Sequence, residues 1–417
     1  MLLSGGIEWF SKKLWFLSLG LVALIVAGSP QGAEASIHRH HRRHRYKVSA
    51  AARQQTDAHG AVPLFTGAVL EDADTGQVLY SLNADMQWPP ASMAKMMLLL
   101  LAEDELAAGH CRLGDPVRIS ERAAMTGGSR VGLKPGDVYP LGELMKAALI
   151  KSANDAAVAV AEKIAGSTEG CTVMMNRRAQ NLYMTHTHYE TVDGLPPRPT
   201  QDADRTDALD LAILGRALIK HSELLRWSGS KEAEFNNGEC TLHNTNHLVG
   251  RFDGCDGLKT GFTTEAKFNV TATAKRGDMR LIAVVLGAPS NTQRFEQAAR
   301  LMQWGFDNFE RVAIFKQGQV LPVQVQIGAG PLVQPIVASN LTLLLPKNGA
   351  RALRFDYNFP DAVGTYLAGG SPLGSVVVWD GSRQLGTVTG VVPGDLARSP
   401  DGSADGLITG SSTVHDY

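Results

Sequence analysis

Residues 89–95 read PPASMAK and run directly into an apolar block at 96–102. Two consecutive prolines suit the approach to a first helical turn but not a helix interior, so this pair marks a helix start. The block that follows is apolar on every side, as in a buried helix. We therefore predict that a buried helix starts at Ser92 and forms the core of its domain.

The start of this helix carries a candidate nucleophile. Ser92 and Lys95 are three residues apart and so lie on one face of the predicted helix, where the amine can take the hydroxyl proton. Backbone N–H groups and the macrodipole at a helix N-terminus also favour negative charge that develops near Ser92. The spacing alone is weak, because a second copy occurs at Ser228 and Lys231. Gly229 and the polar sequence around that copy predict a loop, with no buried helix to fix the pair.

The bulk composition is that of a globular protein. The 417 residues are 44% hydrophobic and 19% charged, which is enough for two or three domains with apolar cores. A formal net charge of −1 argues against a nucleic-acid binder, which would carry a basic excess.

The N-terminus carries an export signal. Lys12 and Lys13 precede an apolar stretch at 14–27, and residues 33–35 read AEA, a small-x-small cleavage pattern. We predict a signal peptide at 1–35 and an exported protein, in the periplasm or on the outer side of the cytoplasmic membrane. The basic, His- and Arg-rich linker at 36–60 could bind a metal or an anionic envelope polymer, but a solvated linker is the favoured interpretation.

The four cysteines allow disulfides in an oxidising compartment and match no metal-ligand spacing. Cys240 and Cys255 are close in sequence and flank what reads as a strand-turn-strand segment, so we predict a bond between them. Cys111 and Cys171 are the leftover pair.

A second motif lies between two predicted helices. The turn residues and apolar periodicity predict a hairpin from 67–71 and 77–80, and helices at 141–150 and 155–165. Ser152 and Asn154 lie between those helices, where such residues also serve as simple N-caps. A second Ser-x-Asn at Ser81 and Asn83 shows how common the pattern is.

From 256 the apolar pattern changes to period two. Lys259-Thr260-Gly261 opens a strand, further strands follow at 266–274 and 279–286, and a helix at 292–304 covers this antiparallel sheet. Lys259 and Thr260 present a cation and a hydroxyl, while Gly261 allows another backbone to approach closely.

Short strands dominate the rest of the chain. They are predicted at 323–327, 341–345, 353–357, 375–379 and 384–388. Their spacing predicts a small β-sandwich without catalytic residues, which would act as a positioning module. We place the catalytic domain at 61–310, the sandwich at 311–397 and a disordered tail at 398–417.

The three motifs occur together in one order: Ser92-x-x-Lys95, Ser152-x-Asn154 and Lys259-Thr260-Gly261. This set is typical of penicillin-binding proteins and class A β-lactamases. Over roughly 62–393 the chain resembles the low-molecular-mass penicillin-binding proteins that are serine-type D-alanyl-D-alanine carboxypeptidases. The resemblance implies an α/β (α+β) transpeptidase-like domain with an antiparallel sheet, flanking helices and a helical subdomain, followed by an all-β sandwich.

The resemblance also implies roles for the serine side of the site. Ser92 would attack the carbonyl between two D-alanines, with Lys95 as general base. Ser152 would relay the proton to the leaving amine, and Asn154 would orient Lys95 and the substrate amide. Burial and the nearby Lys259 cation would lower the pKa of Lys95, as a neutral base requires.

The carboxylate side is implied in the same way. Lys259 and Thr260, beside Gly261, would hold the terminal carboxylate of the peptide, with Arg294 as a second cation. Backbone N–H groups of Ser92 and Phe262 would form the oxyanion hole. The resemblance implies peptidoglycan pentapeptides and β-lactams as binding partners, peripheral contact with the cell envelope, no nucleic acid and no cofactor or metal.

The sequence departs from this family in two places. Thr245 stands where some relatives carry a second arginine ahead of Lys259, and the polar residues after Leu396 cannot form the terminal amphipathic helix that anchors some members. Two alternatives remain open here. A β-lactamase would need a Glu-x-x-x-Asn-like deacylation element, which the segment from Ser152 to Lys259 lacks, and a non-catalytic peptidoglycan-binding scaffold would show a broken motif.

Overall fold

The computed structural model describes residues 64–196, 202–330, 332–347, 353–364, 367–394 and 413–415. The predicted signal peptide at 1–35 and nearly all of the linker and the tail lie outside these residues. Within them, no helix is both long and apolar enough to cross a bilayer.

The first and larger part of the molecule mixes helices with antiparallel strands. In chain order its elements are β1 (Gly67–Asp72), β2 (Val78–Leu82), a 3-10 turn (Ala91–Ala94), α1 (Lys95–Ala107), β3 (Pro116–Arg118), α2 (Glu121–Met125), β4 (Val138–Pro140), α3 (Leu141–Ile150), α4 (Asn154–Ala165), α5 (Thr168–Asn181), α6 (Ala208–Leu218), α7 (Ser222–Ser228), β5 (Glu232–Phe235), β6 (Cys240–His243), β7 (Cys255–Thr263), β8 (Lys267–Arg276), β9 (Met279–Ala288) and α8 (Asn291–Asn308).

A five-stranded antiparallel sheet organises this part, in the order β2-β1-β9-β8-β7. One face is covered by α8, whose Phe295, Ala298 and Met302 join one apolar core. The other face carries the helices gathered around α1, which share a second core. Strands with apolar residues on both faces are expected where a sheet is covered on both sides.

Helix α1 is the buried helix that the sequence predicts. Its residues from Lys95 to Ala102 are at most 5% exposed. The first turn is tighter than predicted, because Ser92 lies in the 3-10 turn and the α-helix begins only at Lys95. The hairpin and helices α3 and α4 are confirmed, with Gly166 closing α4 in a left-handed conformation.

Two predictions for this part need correction. Lys259-Thr260-Gly261 lies within β7 and does not open it, because β7 already begins at Cys255. Ser228 is no loop residue: it ends α7, is 1% exposed, and donates its hydroxyl to the carbonyl of Asp256, 2.8 Å away. The polar sequence around Ser228 conceals a helix that is held in place by Leu224 and Trp227, both buried.

The second part is built from short strands. These are β10 (Phe309–Phe315), β11 (Val325–Ile327), β12 (Leu332–Val333), β13 (Ile336–Val337), β14 (Leu341–Pro346), β15 (Leu353–Asn358), β16 (Ala362–Val363), β17 (Pro372–Asp380), β18 (Arg383–Val391) and β19 (Thr413–His415). They form small sheets around separate apolar cores. All five predicted strands are present, whereas β10 and the short strands β12, β13, β16 and β19 were not predicted. The tail prediction is wrong for 413–415, whose backbone pairs with β15.

The two parts join without a spacer. Helix α8 ends at Asn308 and β10 starts at Phe309. Lys347 directly follows β14, the strand paired with β10. Its ammonium donates to the carbonyl of Phe306 at 2.7 Å, and its backbone N–H donates to the carbonyl of Asn308 at 2.8 Å. Arg311 of β10 reaches back to the buried Asp72 of β1 at 2.8 Å.

The predicted disulfide between Cys240 and Cys255 is wrong, because all four cysteines are free thiols. Cys240 packs against the core around α1, while Cys255 belongs to the core on the α8 side of the sheet. Cys111 and Cys171 are also unpaired and both are buried. Burial raises the pKa of Cys171 to about 12 and that of Cys255 to about 11, so these thiols stay protonated.

Thiol counting tests this correction. We expect protein unfolded in guanidinium without reductant to titrate four thiols per chain. In the native protein the three buried thiols, Cys111, Cys171 and Cys255, should react slowly, because they are inaccessible and burial raises their pKa values. A count of two in the unfolded protein, rising to four after reduction, would restore a disulfide.

Candidate active site

The Ser92-x-x-Lys95 and Lys259-Thr260-Gly261 motifs meet where the 3-10 turn contacts β7. The Lys95 ammonium nitrogen lies 3.0 Å from the Ser92 hydroxyl oxygen, which is hydrogen-bonding distance for proton transfer. The pair lies at the N-terminal end of α1, so both groups are fixed by a buried helix.

Glycine lets the motifs approach each other. A Cβ atom on Gly261 would lie 2.5 Å from the carbonyl oxygen of Pro90, so only glycine fits at this point of β7. The predicted close approach is therefore confirmed. Asn269 on β8 adds a hydrogen bond from its amide to the carbonyl of Pro89 at 2.9 Å, which ties the turn to the sheet.

The residue before the nucleophile has a strained backbone. Ala91 has a φ of +49°, which alanine rarely adopts. Gly194, itself at φ +77°, lies against it so closely that a Cβ atom would be 1.8 Å from the Ala91 carbonyl oxygen. The turn at Gly194 thus holds the backbone that presents Ser92.

Lys95 is wholly buried, which disfavours its charged form. Burial lowers the pKa of Lys95 to about 8, against the opposing effect of the carboxylates of Asp193, Asp204 and Asp155. Its ammonium has a second acceptor, the backbone carbonyl of Asp193 at 2.6 Å. The expected lowering of this pKa by burial agrees with the structure.

Among the described contacts, Asn154 makes no hydrogen bond to Lys95, the amine that the resemblance expected it to orient. Its amide nitrogen donates to the carbonyl of Gly127 at 2.7 Å, and its Oδ1 atom is buried without a hydrogen-bond partner among the described residues. The carbonyl of Asp193 orients Lys95 instead. Sequence reasoning could not find this contact, because any residue type can supply a backbone carbonyl.

Ser152 occupies the loop between α3 and α4 in a left-handed conformation, with φ +64°. Backbone bonds hold the loop on each side: Asn154 N–H donates to Ser129 at 2.7 Å, and Thr245 N–H donates to Ile150 at 3.1 Å. A strained residue that is held by its neighbours is frequent in functional sites.

Lys259 and Arg294 join Lys95 to give the site three buried cations. Lys259 is fully buried and donates to the carbonyl of Thr260 at 3.0 Å. Burial, then repulsion from Lys95 and Arg294, lowers the pKa of Lys259 well below its usual value. Among the residues that the structure describes, none of the three cations forms an ion pair with a carboxylate. Buried charges without partners indicate a site for an anion.

Arg294 lies behind β7 on α8. One guanidinium nitrogen donates to the carbonyls of Gly261 at 3.0 Å and Asn269 at 3.1 Å, while its Nε atom has no partner in the described part of the chain. Burial lowers the pKa of Arg294 to about 10. Arg294 therefore supports the backbone of β7 and keeps further N–H donors for a ligand.

The outer edge of the site is formed by β7, the last strand of its sheet. Alternate peptide groups of an edge strand face away from the sheet and are open to a ligand. Phe262 is 53% exposed, with its ring centred 4.3 Å from that of Phe268. Thr245, which stands where some relatives carry an arginine, accepts a hydrogen bond from the Thr260 hydroxyl at 2.8 Å.

Comparison with solved structures defines the class of protein. The crystal structure of penicillin-binding protein 5 from Haemophilus influenzae is similar over 80% of this chain and 98% of that one, with a TM-score of 0.70 and 29% identity. Penicillin-binding protein D2 from Listeria monocytogenes, in an ampicillin-bound form, covers 59% of this chain at 28% identity and a TM-score of 0.55. Fold and site together are those of a penicillin-binding serine enzyme.

The sequence comparisons give the family. The chain belongs to the D-alanyl-D-alanine carboxypeptidases of peptidase family S11, whose profile matches residues 54–290. It is 35% identical to the D-alanyl-D-alanine carboxypeptidase DacF of Bacillus subtilis, over 82% of this chain and 87% of the relative. It is 37% identical to DacC of Escherichia coli over 63% of this chain and 68% of the relative. The resemblance inferred from the motifs is confirmed, and with it the activity of a serine-type carboxypeptidase.

The rate of acylation should depend on the charge of Lys95. At a pH one unit below its pKa, an amine is only about one-tenth deprotonated. Most Lys95 is therefore charged at pH 7. Because the base must be neutral, we expect the rate of acylation by penicillin to rise with pH and to level off above about pH 8. Stopped-flow measurements between pH 6 and 9, with circular dichroism at each pH, would test this. A flat profile from folded protein would contradict it.

Proposed function

We propose that the chain removes the terminal D-alanine from peptidoglycan stem peptides through an acyl-enzyme on Ser92. The observation that carries the proposal is the Ser92–Lys95 pair at 3.0 Å, in a site that also holds two buried cations, Lys259 and Arg294, with no carboxylate paired to them among the described residues. A nucleophile beside buried cations suits a peptide that ends in a free carboxylate.

The first half-reaction forms an ester. Lys95 takes the proton of the Ser92 hydroxyl as the oxygen attacks the carbonyl carbon of the penultimate D-alanine. The C–N bond then breaks, and the leaving amine receives a proton from Lys95 through Ser152. Ser152, in the loop held just before α4, would carry this proton, as the resemblance implies. The unpaired Oδ1 atom of Asn154 is an acceptor for the N–H of the substrate amide.

The second half-reaction releases the shortened peptide. Water attacks the ester carbonyl, Lys95 accepts its proton, and Ser92 leaves as the hydroxyl again. Backbone N–H groups of Ser92, in the 3-10 turn, and of Phe262, on the edge strand, would stabilise the oxyanion in both steps. Each such donor contributes about 2.7 to 4 kcal/mol to transition-state stabilisation.

The terminal carboxylate would lie between Lys259, Thr260 and Arg294. An anion there offsets the burial and mutual repulsion that lower the pKa of Lys259, so ligand binding and Lys259 protonation favour each other. Thr245 would hold the Thr260 hydroxyl in place.

The protein binds β-lactams, in accordance with its class. We further propose that they acylate the same Ser92 and are retained because the opened ring stays tethered and blocks the deacylating water. We infer that the enzyme works outside the cytoplasm, where a peptidoglycan substrate lies, and that residues 61–310 form the catalytic domain. The strands of 311–397 would then position that domain.

Acylation should be confined to Ser92. We expect mass spectrometry after brief penicillin exposure to find an adduct on the peptide with Ser92 and none on those with Ser152 or Ser228. Lys95→Ala should slow acylation about a hundred- to ten-thousand-fold, the usual contribution of a general base. Ser228→Ala is the matched control, because it changes the other Ser-x-x-Lys serine and should acylate normally. An adduct elsewhere, or none on well-folded protein, would defeat the proposal.

Arg294 should distinguish a free carboxylate from an amide. Removing one partner of a buried charge pair costs on the order of 2 to 5 kcal/mol, so Arg294→Ala should lower kcat/KM more than about tenfold for a D-Ala-D-Ala peptide. The loss should be much smaller for the same peptide as its amide. Arg294→Gln keeps an N–H donor for the Gly261 carbonyl and serves as the second variant. Equal losses on both peptides would make Arg294 purely structural.

A further inference from the structure

The turn at 191–194 meets the catalytic pair at two points. The carbonyl oxygen of Asp193 accepts a hydrogen bond from the Lys95 ammonium at 2.6 Å. The next residue, Gly194, lies against the carbonyl of Ala91, which immediately precedes Ser92. A displacement of this turn would therefore move the base and the backbone of the nucleophile together.

One side chain closes the turn from within. The Thr191 hydroxyl oxygen accepts the N–H of Gly194 at 2.9 Å and donates its own proton to Oδ2 of Asp204 at 2.6 Å. The other carboxylate oxygen, Oδ1 of Asp204, accepts the N–H groups of Glu190 at 2.6 Å and Thr191 at 2.9 Å. Three donors, the N–H groups of Glu190 and Thr191 and the Thr191 hydroxyl, thus converge on the Asp204 carboxylate.

Asp204 is itself fixed in place. It is 7% exposed and forms no ion pair with a described residue. The two residues after it are held by backbone ladders: Arg205 pairs with His188 in both directions, and Thr206 pairs with Trp88 just ahead of the 3-10 turn. The carboxylate is therefore anchored to the same chain segment that leads into Ser92.

We propose that Asp204 and Thr191 are positioning residues for the general base, which lock the Asp193 carbonyl onto Lys95 and Gly194 onto Ala91. The proposal rests on the proposed role of Lys95. A carboxylate is retained at this buried position because three donors require an acceptor, and an apolar side chain would leave them unpaired.

The geometry has a large effect on rate. Displacing a catalytic group by about 1 Å can cost on the order of a hundredfold in rate. The charge of Asp204 has a separate effect, since it raises the pKa of Lys95 together with Asp193 and Asp155. Lys259, across the site, is the cation that repels Lys95. Position and charge can therefore be tested by different variants.

Three variants test the two effects. Thr191→Val keeps the shape of the side chain but removes the hydroxyl, and Thr191→Ser restores it. Asp204→Asn keeps the shape but removes the charge and one acceptor. Asp210→Asn is the matched control. Like Asp204, Asp210 is buried and its pKa is raised to about 6. Asp210 instead accepts hydrogen bonds from the His186 N–H and the Thr187 hydroxyl, which lie before the turn at 191–194.

The measurement is penicillin acylation of the full chain, resolved into the rate constant at saturation and the concentration for half-saturation, from pH 6 to 9. Thr191→Val should lose about ten- to a hundredfold in the rate constant with little change in half-saturation, since Lys259 and Thr260 are untouched. Thr191→Ser should recover most of the loss. Asp204→Asn should lose rate similarly and shift the rising limb to lower pH, because it removes a negative charge near Lys95. Asp210→Asn should do neither.

Two results would overturn the proposal. One is a normal rate constant in folded Thr191→Val or, if that variant does not fold, in Asp204→Asn. The other is a loss of equal size in Asp210→Asn, which would make the effect a general one of the buried segment. Failure of the unmodified protein to acylate at Ser92 would instead refute the proposed function.

Discussion

The active site depends on one buried amine. Lys95 lies at the start of a helix that is apolar on every side, with no carboxylate paired to it among the described residues. Burying an ammonium group is unfavourable, so the protein keeps Lys95 there at a lowered pKa. The same burial that weakens its charge makes it a usable base near neutral pH. Stability and catalysis therefore place opposite demands on this residue.

The backbone around Lys95 fixes the catalytic groups through two close contacts. Glycines at 194 and 261 bring two other segments against the residues of the 3-10 turn around the nucleophile. Gly261 brings β7, with its open edge and its two site residues Lys259 and Thr260. Gly194 brings the carbonyl of Asp193. The catalytic groups come from segments far apart in sequence, and the absence of two Cβ atoms allows them to meet.

Much of this arrangement could be predicted from sequence, because it depends on residue types. The apolar run after Lys95 predicted α1, period two predicted the sheet, and the motif order predicted the site. Failures occurred where residue type carries no signal. The Asp193 carbonyl could come from any residue, so Asn154 was given its role. Polar neighbours concealed the helix that ends at Ser228, and nearness in sequence suggested a disulfide for two cysteines that the sheet separates.

The direct passage from α8 into β10 has a mechanical consequence. Residue 309, directly after Asn308, already belongs to β10. Lys347, just after β14, bonds to the carbonyls of Phe306 and Asn308 at the end of α8, and Arg311 of β10 bonds to Asp72 of the catalytic sheet. Bending there would break charged hydrogen bonds and expose the apolar contact of Leu344 with the core under α8. Strands β10 and β14 therefore continue the catalytic part without a flexible tether. A change in the tilt of these strands would turn the active-site cleft with them.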